Sequence, residues 1–288
     1  IWDLPSPSSS TDLPFFWHIP KSGGTTVADI LTHCLGLVSA SKIGATEGHG
    51  NEGILQVNTY ADQGKYVNVD TTTLPGIQRA KQLGLAASGL ADAIVTHRLQ
   101  ETGFDLFDAQ HKARVFCMFR HPVRRGISMF YYLQRATWEP TFDPALASMT
   151  LEQYAHSPKA ESNWVTRFLT KEYTDKITDQ HLDLAKQIMR SKMVVGILED
   201  FDNSIKRFEL YFGWWNQVVK HDPEQSIRCQ QRKTAASHNK VQYPDVLETD
   251  PGYQRLEQIN WADLQLYQYA LELFEEQKVL VNGKESIM

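Results

Sequence analysis

At 288 residues, 42% hydrophobic and 22% charged, the chain is long enough to bury a sizeable core and too evenly mixed to be fibrous or disordered. A formal net charge of −5 argues against the broadly cationic surface that nucleic acid or a long sulfated glycan would need, and no apolar run is long enough to cross a bilayer. Three cysteines, Cys34, Cys117 and Cys229, lack metal-ligand spacing; they allow at most one internal disulfide and require none.

Residues 1–14, with the run Pro5 to Thr11 of prolines and hydroxyl residues, read as a flexible leader, and 15–288 as one domain. Phe15 to Ile19 is a hydrophobic strand that runs directly into His18-Ile19-Pro20-Lys21-Ser22-Gly23-Gly24-Thr25-Thr26. Adjacent glycines let the backbone approach an anion, and a helix from about Thr26 to Leu35 brings its positive end to the same place. Thr25 and Thr26 add hydroxyls and Lys21 a mobile charge, so the segment predicts a phosphate cradle. Its lysine precedes the glycines, whereas in the common nucleotide triphosphatase loop the lysine follows them.

Val38 to Ala61 is glycine-rich and poorly patterned. A helix is expected over Pro75 to Ala86, then a short buried strand, Ala93 to Thr96, ending at His97. Val115 to Phe119 is a second buried strand that ends at Arg120, and a helix over Val123 to Gln134 follows Pro122, which suits a first helical turn. Asp179 to Arg190 and Asp202 to Phe212 read as helices around a strand over Met193 to Leu198, and Tyr253 to Gln277 carries a long amphipathic pattern. Apolar strands separated by helices predict an α/β fold with a central parallel sheet flanked by helices on both faces. Ligands bind beyond the carboxyl ends of such strands, where Lys21, His97 and Arg120 would converge.

Two segments, Pro20-Lys21-Ser22-Gly23-Gly24-Thr25-Thr26 and Arg120-x7-Ser128, each at a strand end, together resemble the donor-binding motifs of the 3′-phosphoadenosine 5′-phosphosulfate (PAPS)-dependent sulfotransferases. The resemblance is to the branch holding the Golgi-type, heparan 2-O-like carbohydrate O-sulfotransferases. It implies a P-loop-like sandwich in which Lys21, Ser22, Gly23, Gly24, Thr25 and Thr26 line the 5′-phosphosulfate site. Arg120 and Ser128 would hold the 3′-phosphate, and the product nucleotide would be 3′-phosphoadenosine 5′-phosphate (PAP), with no metal required. His121 and Arg124 depart from the family's usual Asp and Glu and make the segment more basic.

The same resemblance implies that His97 is the base on the acceptor hydroxyl, with Lys21 the second catalytic residue. His18 is read as packing, and Glu101, Asp105 and Asp108 are secondary base candidates. Arg98, Asn163 and Arg167 are expected to face the acceptor. A polar loop over Arg228 to Lys240, with Arg232, Lys233 and Ser237, would close over the nucleotide. The acceptor implied is a carbohydrate hydroxyl, with a small-molecule alcohol or phenol as the alternative. Arg98, Arg124, Arg125, Arg135 and Arg167 could form a local cationic patch, and the run Met129 to Tyr132 with Trp138 could stack on a sugar. A P-loop kinase or nucleotide triphosphatase is the competing class; it would need a Mg²⁺-holding Asp at the end of a neighbouring strand. A non-catalytic sugar-binding relative is the third. The chain starts at Ile1 without a methionine, which with the resemblance predicts a preceding membrane anchor and the Golgi lumen, the cytoplasm being the alternative. The sequence has no Asn-x-Ser/Thr glycan acceptor, which weakens the luminal reading.

Overall fold

The computed structural model of the chain describes all residues except 2, 5–10, 47–48, 62, 140–141, 218–221, 237–242 and 282–288. Seven strands form one sheet in the order β3-β4-β2-β5-β1-β6-β7. They are β1 Leu13–Trp17, β2 Ser39–Ala40, β3 Val57–Thr59, β4 Lys65–Val67, β5 Ala93–Thr96, β6 Ala113–Phe119 and β7 Met193–Ile197. Every neighbouring pair is parallel except β3 with β4 at the edge. The helices of the first half are α1 Gly24–Asp29, α2 Leu74–Gln82, α3 Leu85–Ser88, α4 Leu99–Asp105 and α5 Pro122–Leu133. Those of the second are α6 Leu151–His156, α7 Trp164–Thr170, α8 Asp179–Lys192, α9 Phe201–Phe212, α10 Trp214–Gln217, α11 Pro223–Ala235, α12 Pro251–Ile259 and α13 Trp261–Glu276.

The expected α/β sandwich is therefore present, and the central strands show why. Their side chains alternate between two cores, one on each face of the sheet. Phe15, Trp17, Val115, Cys117, Val195 and Ile197 pack on one side, and Phe16, Phe116, Met118 and Val194 on the other. A third cluster joins α5, α6 and α12 through Ile127, Phe130, Tyr154 and Leu256. From β1 the chain moves outward through β2 to β4 and returns to β5 on one side of β1, then crosses to β6 and β7 on the other. The carboxyl end of β1 is thus the point where the winding reverses, and a crevice opens there in such sheets.

Several boundaries differ from the sequence expectations. β1 begins at Leu13, inside the stretch read as leader, because Asp12 pairs with the buried Arg114 at 2.8 Å and Leu13 N–H donates to the Lys112 carbonyl at 2.9 Å. Leu4 is buried and its N–H donates to the Ser191 carbonyl at 2.8 Å. β1 ends at Trp17 instead of Ile19, since the Ile19 N–H turns back to the Trp17 carbonyl at 3.1 Å, just before Pro20, which has no N–H to resume the ladder. The helix after the loop changes from α to π geometry over Ile30–Cys34 and stops before Gly36, at φ 66°. The poorly patterned stretch contains β2 and β3, only two and three residues long. The long C-terminal pattern is two helices, divided at Asn260, whose Nδ2 donates back to the Leu256 carbonyl at 2.8 Å.

The largest correction concerns Arg228 to Lys240. Its described part is helix α11, started by Asp222, whose carboxylate accepts from Gln225 N–H at 2.9 Å, with Pro223 behind it. Ser237 and residues 238–240 lie outside the described residues. α11 is tied to the helix following the loop by a disulfide between Cys34 and Cys229, 195 residues apart, while Cys117 is free and buried. Among the described residues no helix is long and apolar enough to cross a membrane.

Candidate active site

The loop between β1 and α1 folds tightly under the end of the sheet. Lys21 has φ 62° and Gly23 φ 78°, both left-handed. Gly23 takes that conformation without a Cβ penalty; Lys21 does not, at a cost on the order of 1–3 kcal/mol. A Cβ on Gly24 would collide with the His18 ring. The strained Lys21 backbone is held from the next strand: Arg120, just beyond β6, donates from Nη1 to the Lys21 carbonyl at 2.9 Å and from Nη2 to the Tyr243 hydroxyl at 3.2 Å. The loop and Arg120 are therefore parts of one unit.

Inside it, Lys21 Nζ and Ser22 Oγ are both buried without a hydrogen-bond partner. The ammonium lies 4.0 Å from the centre of the Tyr132 ring, whose face gives it partial compensation. Burial, with the Arg120 charge added, brings Lys21 down to about 8, and Glu139 opposes that shift. A sealed cation and hydroxyl, two cations side by side, and a glycine cradle beneath them fit an anionic ligand.

His97 follows β5 and is half-buried. Burial, then the Arg98 charge, holds its imidazole below the ordinary 6.5, so the ring is neutral at physiological pH; Glu101, Asp70 and Glu139 act in the opposite direction. His18, expected to be packing, sits against Gly24, and burial drives it down to about 4 with the His97 and Lys21 charges contributing. Lys21, His18 and His97 thus share one neighbourhood at the ends of the adjacent strands β1 and β5.

The remaining expected site residues divide. Thr25 and Thr26 lie in the first turn of α1, and Ser128 is buried two turns into α5, on the helix that Arg120 leads into. Arg232 lines a surface groove of about 460 Å³ along α11 with Gln225, Arg228, Gln231 and Ala235. Lys233 Nζ pairs with Asp29 of α1 at 3.8 Å. Arg98 is engaged by the Thr72 carbonyl at 2.7 Å and Glu101 at 3.0 Å.

Asn163 and Arg167 have structural work instead of an open face toward a ligand. Asn163, at φ 49°, accepts from the N–H groups of Ala262 and Asp263 and so caps α13, while Asp263 accepts from Val165 and Thr166 and caps α7. Arg167 donates to the carbonyls of Ser162, Glu172 and Asp175. Arg125 is buried and paired with Glu161 at 2.9 Å. The cationic patch that Arg98, Arg125 and Arg167 could have formed is therefore not assembled; Arg124 and Arg135 remain exposed. Among the secondary base candidates, Asp108 is exposed and accepts from the N–H groups of Gln110 and His111, a turn role.

Three participants carry no sequence signal. Glu139 accepts from the Tyr132 hydroxyl at 2.5 Å. Tyr243 holds Arg120 and stacks on Tyr131 at 5.1 Å. Glu199, after β7, accepts from His121 N–H at 3.1 Å and the Tyr267 hydroxyl at 2.9 Å. No motif spacing links these residues to Lys21 or Arg120. No cluster of three or more His, Cys, Asp or Glu side chains suited to a metal occurs among the described residues.

No protein-family model matches the chain, and no curated protein matches it. The structure is similar to a crystal structure of mouse sulfotransferase SULT7A1 complexed with PAP, at 15% identity and a TM-score of 0.41, covering 98% of this chain and 89% of that one. A likeness that distant does not show what this chain binds.

Proposed function

We propose that the chain is a PAPS-dependent O-sulfotransferase that moves a sulfuryl group directly to an acceptor hydroxyl, on a carbohydrate in preference to a small-molecule alcohol. The observation that carries this reading is the joined unit of Lys21 and Arg120: a buried ammonium without a hydrogen-bond partner, in a glycine cradle, on a residue whose backbone carbonyl accepts from a second cation one strand away. One cation serves the 5′-phosphosulfate and the other, with Ser128, the 3′-phosphate.

In the transfer, the acceptor oxygen forms a bond to sulfur as the bond from sulfur to the bridging 5′-phosphate oxygen breaks. Negative charge grows on that oxygen, beside Lys21 Nζ, where a fixed cation stabilises it most. The acceptor proton passes to the neutral His97 ring. The products are a sulfate ester and PAP. A Mg-dependent kinase or triphosphatase is disfavoured by the strand ends: β5 and β6, the neighbours of β1, lead into His97 and Arg120, neither of which binds Mg²⁺ as a carboxylate would. The Cys34–Cys229 disulfide suits an oxidising compartment, which supports the Golgi lumen as the setting.

Isothermal titration tests the reading. PAP should bind without Mg²⁺, and adenosine 5′-phosphate, lacking the 3′-phosphate, should bind at least 10-fold more weakly. Arg120→Ala should remove most of that difference. Preference for Mg-ATP over PAP overturns the assignment.

A further inference from the structure

Beyond the donor cradle, the chain from Tyr132 to Glu139 builds a small rim at the end of α5. Its turn is ordered by backbone bonds from Ala136 N–H to the Tyr132 carbonyl and from Glu139 N–H to the Ala136 carbonyl, and Gln134 ties it to the Leu146 carbonyl at 2.9 Å. Trp138 stands on this rim with 72% of its surface exposed. Leaving an indole in water forfeits the hydrophobic gain of burying a large aromatic side chain. Yet Trp138 is held in place: its Nε1 donates to the Tyr132 hydroxyl at 3.3 Å, and the two rings meet edge to face at 6.3 Å. Tyr132 in turn covers Lys21 Nζ. The indole is therefore one ring removed from the ammonium at which sulfuryl transfer would occur.

The charges on this side are unlike those of the donor cradle. Asp70, Glu101 and Glu139 are the carboxylates whose charges reach the His97 ring. Arg98, the cation beside it, is matched by Glu101 at 3.0 Å. With Arg125 and Arg167 engaged elsewhere, Arg135 is the exposed arginine on this rim, so a uronate-rich or already sulfated chain would find no assembled cationic patch here.

We propose that Trp138 and Glu139 form the acceptor subsite, which takes an uncharged sugar ring: the ring's C–H face stacks on the indole and a hydroxyl donates to the Glu139 carboxylate. The chemistry matches on both counts. Axial C–H groups carry slight positive charge and suit the negative face of an aromatic ring. A carboxylate has about four acceptor positions, of which Tyr132 fills one. A phenol would offer only its reacting hydroxyl, which belongs at His97, and would leave Glu139 unused. This inference rests on the sulfotransferase reading for its placement beside Lys21, but its binding test does not need the donor.

The test is affinity electrophoresis of the intact chain through gels containing a neutral glucan, a neutral galactan, or hyaluronan, with sulfate transfer to the matching oligosaccharides and to 4-nitrophenol measured in parallel. Retardation by at least one neutral glycan and not by hyaluronan is expected. Trp138→Ala should lose that retardation and raise the KM for the neutral acceptor at least 10-fold with PAP affinity unchanged, and Trp138→Phe should recover part of it. Glu139→Gln should weaken acceptor binding less than Trp138→Ala does, since an amide oxygen still accepts. Retardation only by hyaluronan, turnover only of 4-nitrophenol, no neutral glycan bound or sulfated, or an unaffected Trp138→Ala variant would each overturn the proposal. Failure to bind PAP, by contrast, would remove the sulfotransferase reading while leaving Trp138-dependent retention to be judged on its own.

Discussion

Raising the pH should loosen nucleotide binding through Lys21 alone. Burial and the Arg120 charge bring its ammonium from the ordinary 10.5 to about 8. A bound phosphate supplies the missing counter-charge, so the complex keeps the proton to near the ordinary range. With one linked proton, the free protein is roughly nine-tenths protonated at pH 7 and only about 3% protonated at pH 9.5, so the PAP dissociation constant should rise about 30-fold between them. Other groups in the neighbourhood do not compete over this interval. His18 is held at about 4 and His97 below 6.5, so both stay neutral; burial raises the Cys117 thiol far out of range; Tyr132 is pushed up to about 12. The second ionisation of a phosphate monoester, centred near pH 6, is about nine-tenths complete at pH 7 and adds little above it. Calorimetric titration of PAP in Mg²⁺-free buffers of constant ionic strength reads the slope directly. Lys21→Met keeps the chain length without the charge and should bind more weakly at pH 7 with no pH dependence above it. A flat wild-type profile, or a slope that survives in Lys21→Met, would refute the assigned role of the buried ammonium.

Three further perturbations address other parts of the structure. His97→Gln should lower kcat by about 10²–10⁴ with PAP affinity retained, and the wild-type rate should fall as pH drops through a value below 6.5, where the imidazole takes up its proton; an unchanged rate in the variant would pass the base role to a carboxylate. Cys229→Ser opens a link between residues 195 apart and should cost about 2–5 kcal/mol in urea unfolding, mimicked in the wild type by reductant; identical midpoints with and without reductant would contradict it. Glu209, 3% exposed and hydrogen-bonded to Gln230 at 2.6 Å, is raised by burial from 4.5 to about 7, so the wild type loses stability as pH rises from 4.5 to 7 and stays lower above it. Glu209→Gln should therefore raise the melting temperature at pH 8 and not at pH 4, the difference corresponding to about 3 kcal/mol; an equal effect at both pH values would show that the carboxylate is not the cause.

How much of this was legible beforehand depended on the length of each pattern. β6 and β7 announce themselves because a continuous apolar run between helical stretches has few other uses in a sheet buried on both faces, and α9 because its apolar residues recur at helical spacing. β2, β3 and β4 escape because two or three residues cannot display a period, and their placement comes from the partners β5 and β4 supply. The break at Asn260 escapes for another reason. The amphipathic pattern continues through it, and what divides the helices is reciprocal capping between Asn163 and Asp263, residues 100 positions apart. The same capping shows what Asn163, which the resemblance led one to expect facing an acceptor, does instead: its side-chain oxygen accepts from backbone N–H groups of α13.

The two motifs proposed to bind the donor were legible as residue types and not as a mechanism. Lysine, glycine and arginine at strand ends are visible in the sequence; the hydrogen bond from Arg120 to the Lys21 carbonyl is not, because it depends on the register that pairs β1 with β6. That bond changes how the two motifs relate. Lys21 occupies a backbone region costly for a side chain with a Cβ, and a guanidinium on its carbonyl is what holds it there. The cation that would hold the 3′-phosphate therefore also sets the position of the cation that acts at the 5′ end. A nucleotide without its 3′-phosphate would leave the Arg120 charge without an anion while it still braces Lys21, so under the proposed function selectivity for the donor and placement of the charge that stabilises its departure would reside in one side chain.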